Sequence, residues 1–306
     1  MSTLLESRPA TVVHTGVVDG SAPPGLDRDR LRIGASQILL GLSLLLTWLL
    51  VYLFVLSGFE QAHAQSALYD RLRTELAEGT APVGAPIALG SPVALLAIPE
   101  IGVDDVVVVE GSRSRQLQAG PGHVLGSVLP GQLGVSVIAG RSVSFGGPFA
   151  RLAELDRGSF VTVTTGQGTF VYEVLGARTQ GDPVPPALEE GEARLTLVTA
   201  ARGEGAAALQ ASQTVYVDAQ LAEGGVTPGL VATPDIGNKL MAVSLDTSTL
   251  ALLALSLQLL VGALVAFAWA WTRWSRPAAW IAVAPCVLAT MWLVSSIGSR
   301  LLPGLV

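Results

Sequence analysis

Three uncharged, apolar runs decide most of what this chain can become. They cover residues 33–59, 247–272 and 277–299, and are 27, 26 and 23 residues long. Each exceeds the roughly 20 residues that an α-helix needs to cross the hydrocarbon core of a bilayer. A mean hydropathy of +0.54 with only 14% charged residues agrees, being too apolar for an ordinary soluble protein. Arg28, Arg30 and Arg32 precede the first run, and Arg273 and Arg276 lie between the second and third. Basic residues beside spans stay in the cytoplasm. The expected topology is therefore a multi-pass cell-membrane protein with a cytoplasmic N-terminus, residues 60–246 outside and residues 300–306 outside as well. Trp269, Trp271, Trp274 and Trp280 cluster at the cytoplasmic span ends, where an aromatic belt belongs. The first run begins too late and is too long for the apolar core of a cleaved signal peptide, so a signal anchor is expected. Residues 1–32, rich in Ser, Thr, Gly and Pro without periodicity, are expected to be a disordered cytoplasmic tail.

The outer segment excludes several chemistries. Residues 60–246 hold 20 Asp plus Glu against 11 Lys plus Arg, a surface that repels nucleic acid. The single cysteine, Cys286, lies inside the third apolar run, so the outer segment has neither a disulfide nor a thiol. His14, His63 and His123 fall in three separate regions and cannot assemble a His/Cys metal set. Glu100, Asp104 and Asp105 leave open either an oxygen-ligand calcium site or simply a solvated acidic edge. No cofactor is expected.

Residues 60–92 read as a juxtamembrane helix, with Leu68, Leu72 and Leu76 on one stripe, followed by a Gly/Pro spacer leading away from the bilayer. From residue 93 the pattern changes to short β-branched runs bounded by Gly, Pro and Asp. Strands are expected at 94–98, 103–109, 135–139, 159–165, 169–177, 194–200 and 214–219, with Gly166-Gln167 turning a hairpin. Seven short strands without helical alternation indicate an all-β barrel or sandwich over residues 93–222. A second spacer, residues 223–246, returns the chain to the membrane.

In chain order, the outer domain carries Ile98-Pro99-Glu100-Ile101-Gly102-Val103, Val109-Glu110-Gly111, Gly120-Pro121-Gly122-His123 and Leu129-Pro130-Gly131-Gln132. Residues 134–149 and then Leu195-Thr196-Leu197-Val198-Thr199 complete the series. The series resembles the sortases of high-GC Gram-positive bacteria, of the class E type. The resemblance implies an all-β, sortase-like β-barrel outer domain with transmembrane helices on both sides. A family sortase attacks the Thr-Gly bond of an LPXTG-like sorting signal with a Cys thiolate and passes the acyl group to an amine. A His protonates the leaving amine, and an Arg stabilises the charged intermediate. In the family the His follows Ala-Gly, the Cys follows a Thr-Leu-x-Thr strand, and the Arg opens the next strand.

All three positions are replaced here. Arg141 follows Ala139-Gly140, Ala200 follows Thr199, and the Arg position falls at Thr214 or Gln213. Thr199 is adjacent to Ala200 and is expected to face away from it, since successive strand side chains alternate. Ser142 and Ser144 have no neighbouring base, and His123 belongs to a turn that is structural in the family. Arg141 is either a surface residue left after loss of the His or a guanidinium fixed in the old groove, where it could meet a carboxylate. Phe145 and Phe149 flank it as groove wall or as core, so the possible groove-binding set is Arg141, Phe145 and Ala200.

The expected function is thus a membrane-anchored pseudo-sortase, a binding or scaffold module in cell-envelope protein display. Its partner would be a cell-surface or pilin-like protein, a sorting-signal peptide or an active sortase. The alternative is a cysteine-independent transpeptidase or hydrolase using other residues, and a third possibility is a decayed product that folds without acting.

Overall fold

The computed structural model describes residues 28–201, 213–235, 247–302, 304 and 305. Most of the tail expected at 1–32, and the later part of the spacer at 223–246, lie outside these. The chain divides into two units, residues 1–47 and 48–306. Within the first, the described residues are helical, and Thr47 donates to the Ser43 carbonyl at 2.8 Å.

Eight strands form the body of the second unit: β1 (Pro92–Ile98), β2 (Val103–Glu110), β3 (Gly122–His123), β4 (Gly134–Ala139), β5 (Phe160–Thr165), β6 (Gly168–Thr179), β7 (Ala193–Ala200) and β8 (Thr214–Leu221). They close into a barrel in the order β1-β2-β3-β4-β7-β8-β6-β5. Closure comes from antiparallel pairing of β1 with β5, in which Leu96 faces Val163. β2–β3 and β4–β7 are parallel. β7 is almost continuously buried, as a parallel strand covered on both faces must be, and its run of Leu, Thr and Val suits that environment. The barrel interior is filled by Val93, Leu96, Ile98, Leu195, Leu197 and Val217, capped by Phe149 and Leu152 from the loop after β4.

The helices are α1 (Arg28–Val51), α2 (Ser57–Ala77), the short α3 (Ser114–Leu117), α4 (Thr247–Arg273) and α5 (Arg276–Ser299). With a barrel and these helices together, the chain is mixed α/β and not all-β. Three of the described helical stretches are long and apolar enough to cross a membrane: Ser43–Ala77, Thr247–Arg273 and Arg276–Ser299. The first does not end near residue 59. A π-helical turn at Tyr52–Leu56 keeps the backbone bonded, and Ser57 Oγ donates to the Leu53 carbonyl at 2.6 Å, so α2 follows without a break.

α2 is clamped to the barrel. The Gln65 amide donates to the carbonyls of Val107 (3.0 Å) and Ala119 (2.8 Å) and accepts from the Val107 N–H (2.8 Å), mimicking a strand neighbour for β2. α5 joins it near the same end. Glu60 accepts from Tyr52 Oη at 2.8 Å and from Ser296 Oγ at 3.1 Å, and the Tyr52 ring meets Trp292 edge-on. The Gly/Pro segment before β1 packs along the barrel instead of standing free as a spacer. Ala81 is buried, Val83 O accepts from Gln132, and the Ala85 N–H reaches the Leu230 carbonyl on the returning segment.

Candidate functional site

Arg141 lies just past the end of β4, Ala200 ends β7 and Thr214 opens β8. Ala139 pairs with Val198, Gly140 N–H continues to the Val198 carbonyl, and Ala200 pairs directly with Thr214. Gly140 is required there because a Cβ would fall 2.4 Å from the Phe149 ring. Thr199 Oγ donates to the Gly140 carbonyl at 2.9 Å, so its hydroxyl ties β7 to β4 and is committed away from Ala200. Ala200 and Thr214 are buried, whereas Gln213 is exposed.

Arg141 is fully buried, which removes the surface reading. Its guanidinium donates to Ser114 Oγ (2.8 Å) and O (3.2 Å) and to Ser144 Oγ (2.9 Å), and lies 5.0 Å over the Phe145 ring. Burial pulls its pKa down to about 10, which still leaves it cationic at neutral pH. Phe145 has φ +51, in the left-handed region that a bulky residue rarely adopts. It is held there by its N–H bond to Ser57 Oγ of α2 at 3.0 Å. Phe145 therefore lies against the guanidinium, and Phe149 belongs to the barrel core. Arg141 makes its described contacts with Ser114, Ser144 and Phe145, and Leu305 packs with Ala200 in a small apolar cluster with Leu117, Ala139 and Val198. The Leu305 carbonyl accepts from Ser142 N–H at 2.9 Å and from Ser142 Oγ at 3.2 Å. Sequence reading missed Ser57, Ser114 and Leu305, because each meets the groove from far along the chain.

A second polar cluster holds His123. Nδ1 lies 2.9 Å from Glu110 Oε2, and Nε2 lies 2.9 Å from the Val128 carbonyl and 3.0 Å from Ser127 Oγ, all largely buried. The order Ser127–His123–Glu110 is that of a hydrolase triad, but the bonds are not. A carbonyl only accepts, so Nε2 carries a proton toward Val128 and cannot also act as base. Ser127 donates to the Val124 carbonyl at 2.7 Å and accepts from Val137 N–H at 3.2 Å. The cluster pins β2, β3 and the β3–β4 loop together. Elsewhere, Glu100 accepts from Ser159 while Asp104 and Asp105 are exposed, and among the described residues no group of three or more His, Cys, Asp or Glu could hold a metal.

Residues 96–221 match the sortase domain family. Similar solved structures include a Clostridium perfringens sortase D5 transpeptidase, 22% identical, TM-score 0.43, covering 53% of this chain and 99% of that one. SrtA sortase from Actinomyces oris is 25% identical, TM-score 0.40, with 52% and 90% covered. A point mutant of sortase E from Streptomyces avermitilis is 27% identical, TM-score 0.37, with 50% and 97% covered. No curated protein matches the chain. Most of the barrel therefore matches the sortase domain model, on a chain with three candidate membrane spans.

Proposed function

We propose that this chain is a membrane-anchored, non-catalytic sortase relative, acting as a binding or scaffold module in cell-envelope protein display. One observation carries the reading: the residue after the Thr196-Leu197-Val198-Thr199 strand is Ala200, and the chain's only cysteine is Cys286 in α5, away from the barrel. Without a thiolate the acyl-enzyme cannot form. The nearby hydroxyls are committed within the fold: Thr199 donates to the Gly140 carbonyl, Ser142 to the Leu305 carbonyl, and Ser144 accepts from Arg141. A sorting-signal peptide, a cell-surface or pilin-like protein, or an active sortase is the fitting partner class.

The test is transpeptidation of an LPXTG-type peptide by the purified full chain, followed by mass spectrometry for product and peptide thioester. No turnover is expected, and Ala200→Cys alone stays inactive because residues that act as a unit are strongly non-additive. The triple variant Arg141→His, Ala200→Cys, Thr214→Arg is the one that could regain a thioester. Turnover by the unmodified chain, lost in Ser142→Ala or His123→Ala, would overturn the proposal.

The orientation proposed is N-terminus inside, with the barrel and residues 300–306 outside. Support comes from the basic residues Arg273 and Arg276 at the opposite ends of α4 and α5 from the barrel contacts of Ser299 and Leu305. In a Cys286→Ser background, an impermeant thiol reagent should label Gly166→Cys and Val306→Cys in intact cells but not Ser2→Cys. The opposite labelling pattern reverses the orientation.

A further inference from the structure

The segment that follows α5 packs at the ends of β4 and β7. Ser299, the last residue of α5, accepts from Gln118 Nε2 at 2.9 Å, and a turn through Arg300, Leu301 and Leu302 then bends the chain toward the barrel. Gly304 and Leu305 are buried. The Leu305 side chain sits against Leu117, Ala139, Val198 and Ala200, while its carbonyl takes both donors of Ser142. A side chain in an apolar pocket, with the backbone hydrogen-bonded beside it, is a peptide-holding arrangement. Here the peptide is part of the same chain.

We propose that Gly304 and Leu305 are the resident occupant of this site, and that an external peptide binds only by displacing Leu305. The inference rests on the proposed reading of the barrel as a peptide-binding module. It deepens that reading by making binding self-competitive. A segment tethered a few residues from its site competes at an effective concentration on the order of millimolar. A free peptide of modest affinity therefore cannot win while the segment is in place. Replacing Ala200 by a larger residue would obstruct internal and external ligands alike, because Ala200 forms part of the pocket wall that Leu305 touches.

The experiment uses the full chain in nanodiscs, in a Cys286→Ser background, with two readouts. Fluorescence anisotropy follows a labelled LPXTG-type peptide, and maleimide reactivity at Ala200→Cys follows exposure of the pocket. The expected result is weak peptide binding by the parent, at least tenfold tighter binding by Leu305→Asp, loss of that gain on adding Ala200→Trp, and at least tenfold faster labelling at Ala200→Cys when Leu305→Asp is present. Equal labelling with and without Leu305→Asp overturns the resident-ligand inference, whatever the peptide does. Equal, tight peptide binding by parent and Leu305→Asp also overturns it, yet leaves the peptide-binding reading standing. Faster labelling without peptide binding keeps Gly304 and Leu305 as occupant and overturns the peptide-binding reading instead.

Discussion

The two buried polar clusters of the barrel are built from different distances along the chain. Around His123, the partners Glu110, Ser127 and Val128 all lie within 13 residues, and all belong to β2, β3 and the loop that follows. Around Arg141, the described partners are Ser114, 27 residues upstream, and the nearby Ser144 and Phe145. Phe145 is itself pinned by Ser57, 88 residues away in α2, and the neighbouring Ser142 binds Leu305 at a separation of 163. The first cluster is a property of the barrel alone. The second is complete only when α2 and the segment after α5 are docked, so its stability is coupled to the membrane helices. This contrast locates where the domain can change: the His123 end is self-contained, and the Arg141 end answers to elements outside the barrel.

The largest expected effect breaks the self-contained end. Glu110→Ala leaves the buried His123 Nδ1 without its partner, and an unsatisfied buried group of this kind costs about 3 kcal/mol. Arg141→Ala should cost less, about 2–3 kcal/mol, for the loss of hydrogen bonds from a charged donor. Thermal unfolding of the detergent-solubilised chain measures both. Combining each variant with Leu305→Asp sharpens the contrast. Arg141→Ala and Leu305→Asp should couple by about 0.5 kcal/mol or more, because Ser142 links the two sites. Glu110→Ala and Leu305→Asp share no partner and should add. Coupling of the Glu110 pair, with additivity at Arg141, would reverse the comparison.

Much of the barrel was legible locally, and its closure was not. The strands around Val107, Val163 and Leu197 announce themselves because β-branched residues run between Gly and Pro breakers, and the Gly166-Gln167 turn follows from its composition. β3 is only two residues, Gly122 and His123, too short to carry any alternation. The parallel pairing of β4 with β7 joins residues about 60 apart, and no periodicity in either strand encodes its partner. At the site, family order singled out Arg141, Ala200 and Thr214, but composition alone would put an arginine at the surface. Its burial depends on Ser114 and Ser144 hydroxyls, and serine near a loop carries no signal of what it will face. The Gly/Pro segment before β1 misled for a related reason: Val83 and Ala85 satisfy their backbone groups against Gln132 and Leu230, partners that no local pattern reveals.

The smallest single-substitution effect probes the self-contained end through pH. Gly131 N–H donates to the Tyr172 hydroxyl at 2.6 Å, in the loop just after Val128, and Gly131 has φ +90 with the Phe170 ring where a Cβ would stand. Burial pushes the Tyr172 pKa up from the usual 10.0 to about 12, only partly offset by that N–H. The folded value lies above the unfolded one, so the native state holds the proton more tightly than the unfolded chain does. Its contribution is therefore complete below about pH 10 and is lost as pH rises toward about 12. Tyr172→Phe removes the titration and leaves a buried N–H without its acceptor, which costs about 1–2 kcal/mol at neutral pH. The parent should lose stability steeply across that alkaline window, and the variant should start lower with a shallower limb. Because Tyr172 lies in the core and Arg141 in the groove, Leu305→Asp should leave the limb where it was. A limb that moves with Leu305→Asp would mean that the two ends of the barrel are not independent.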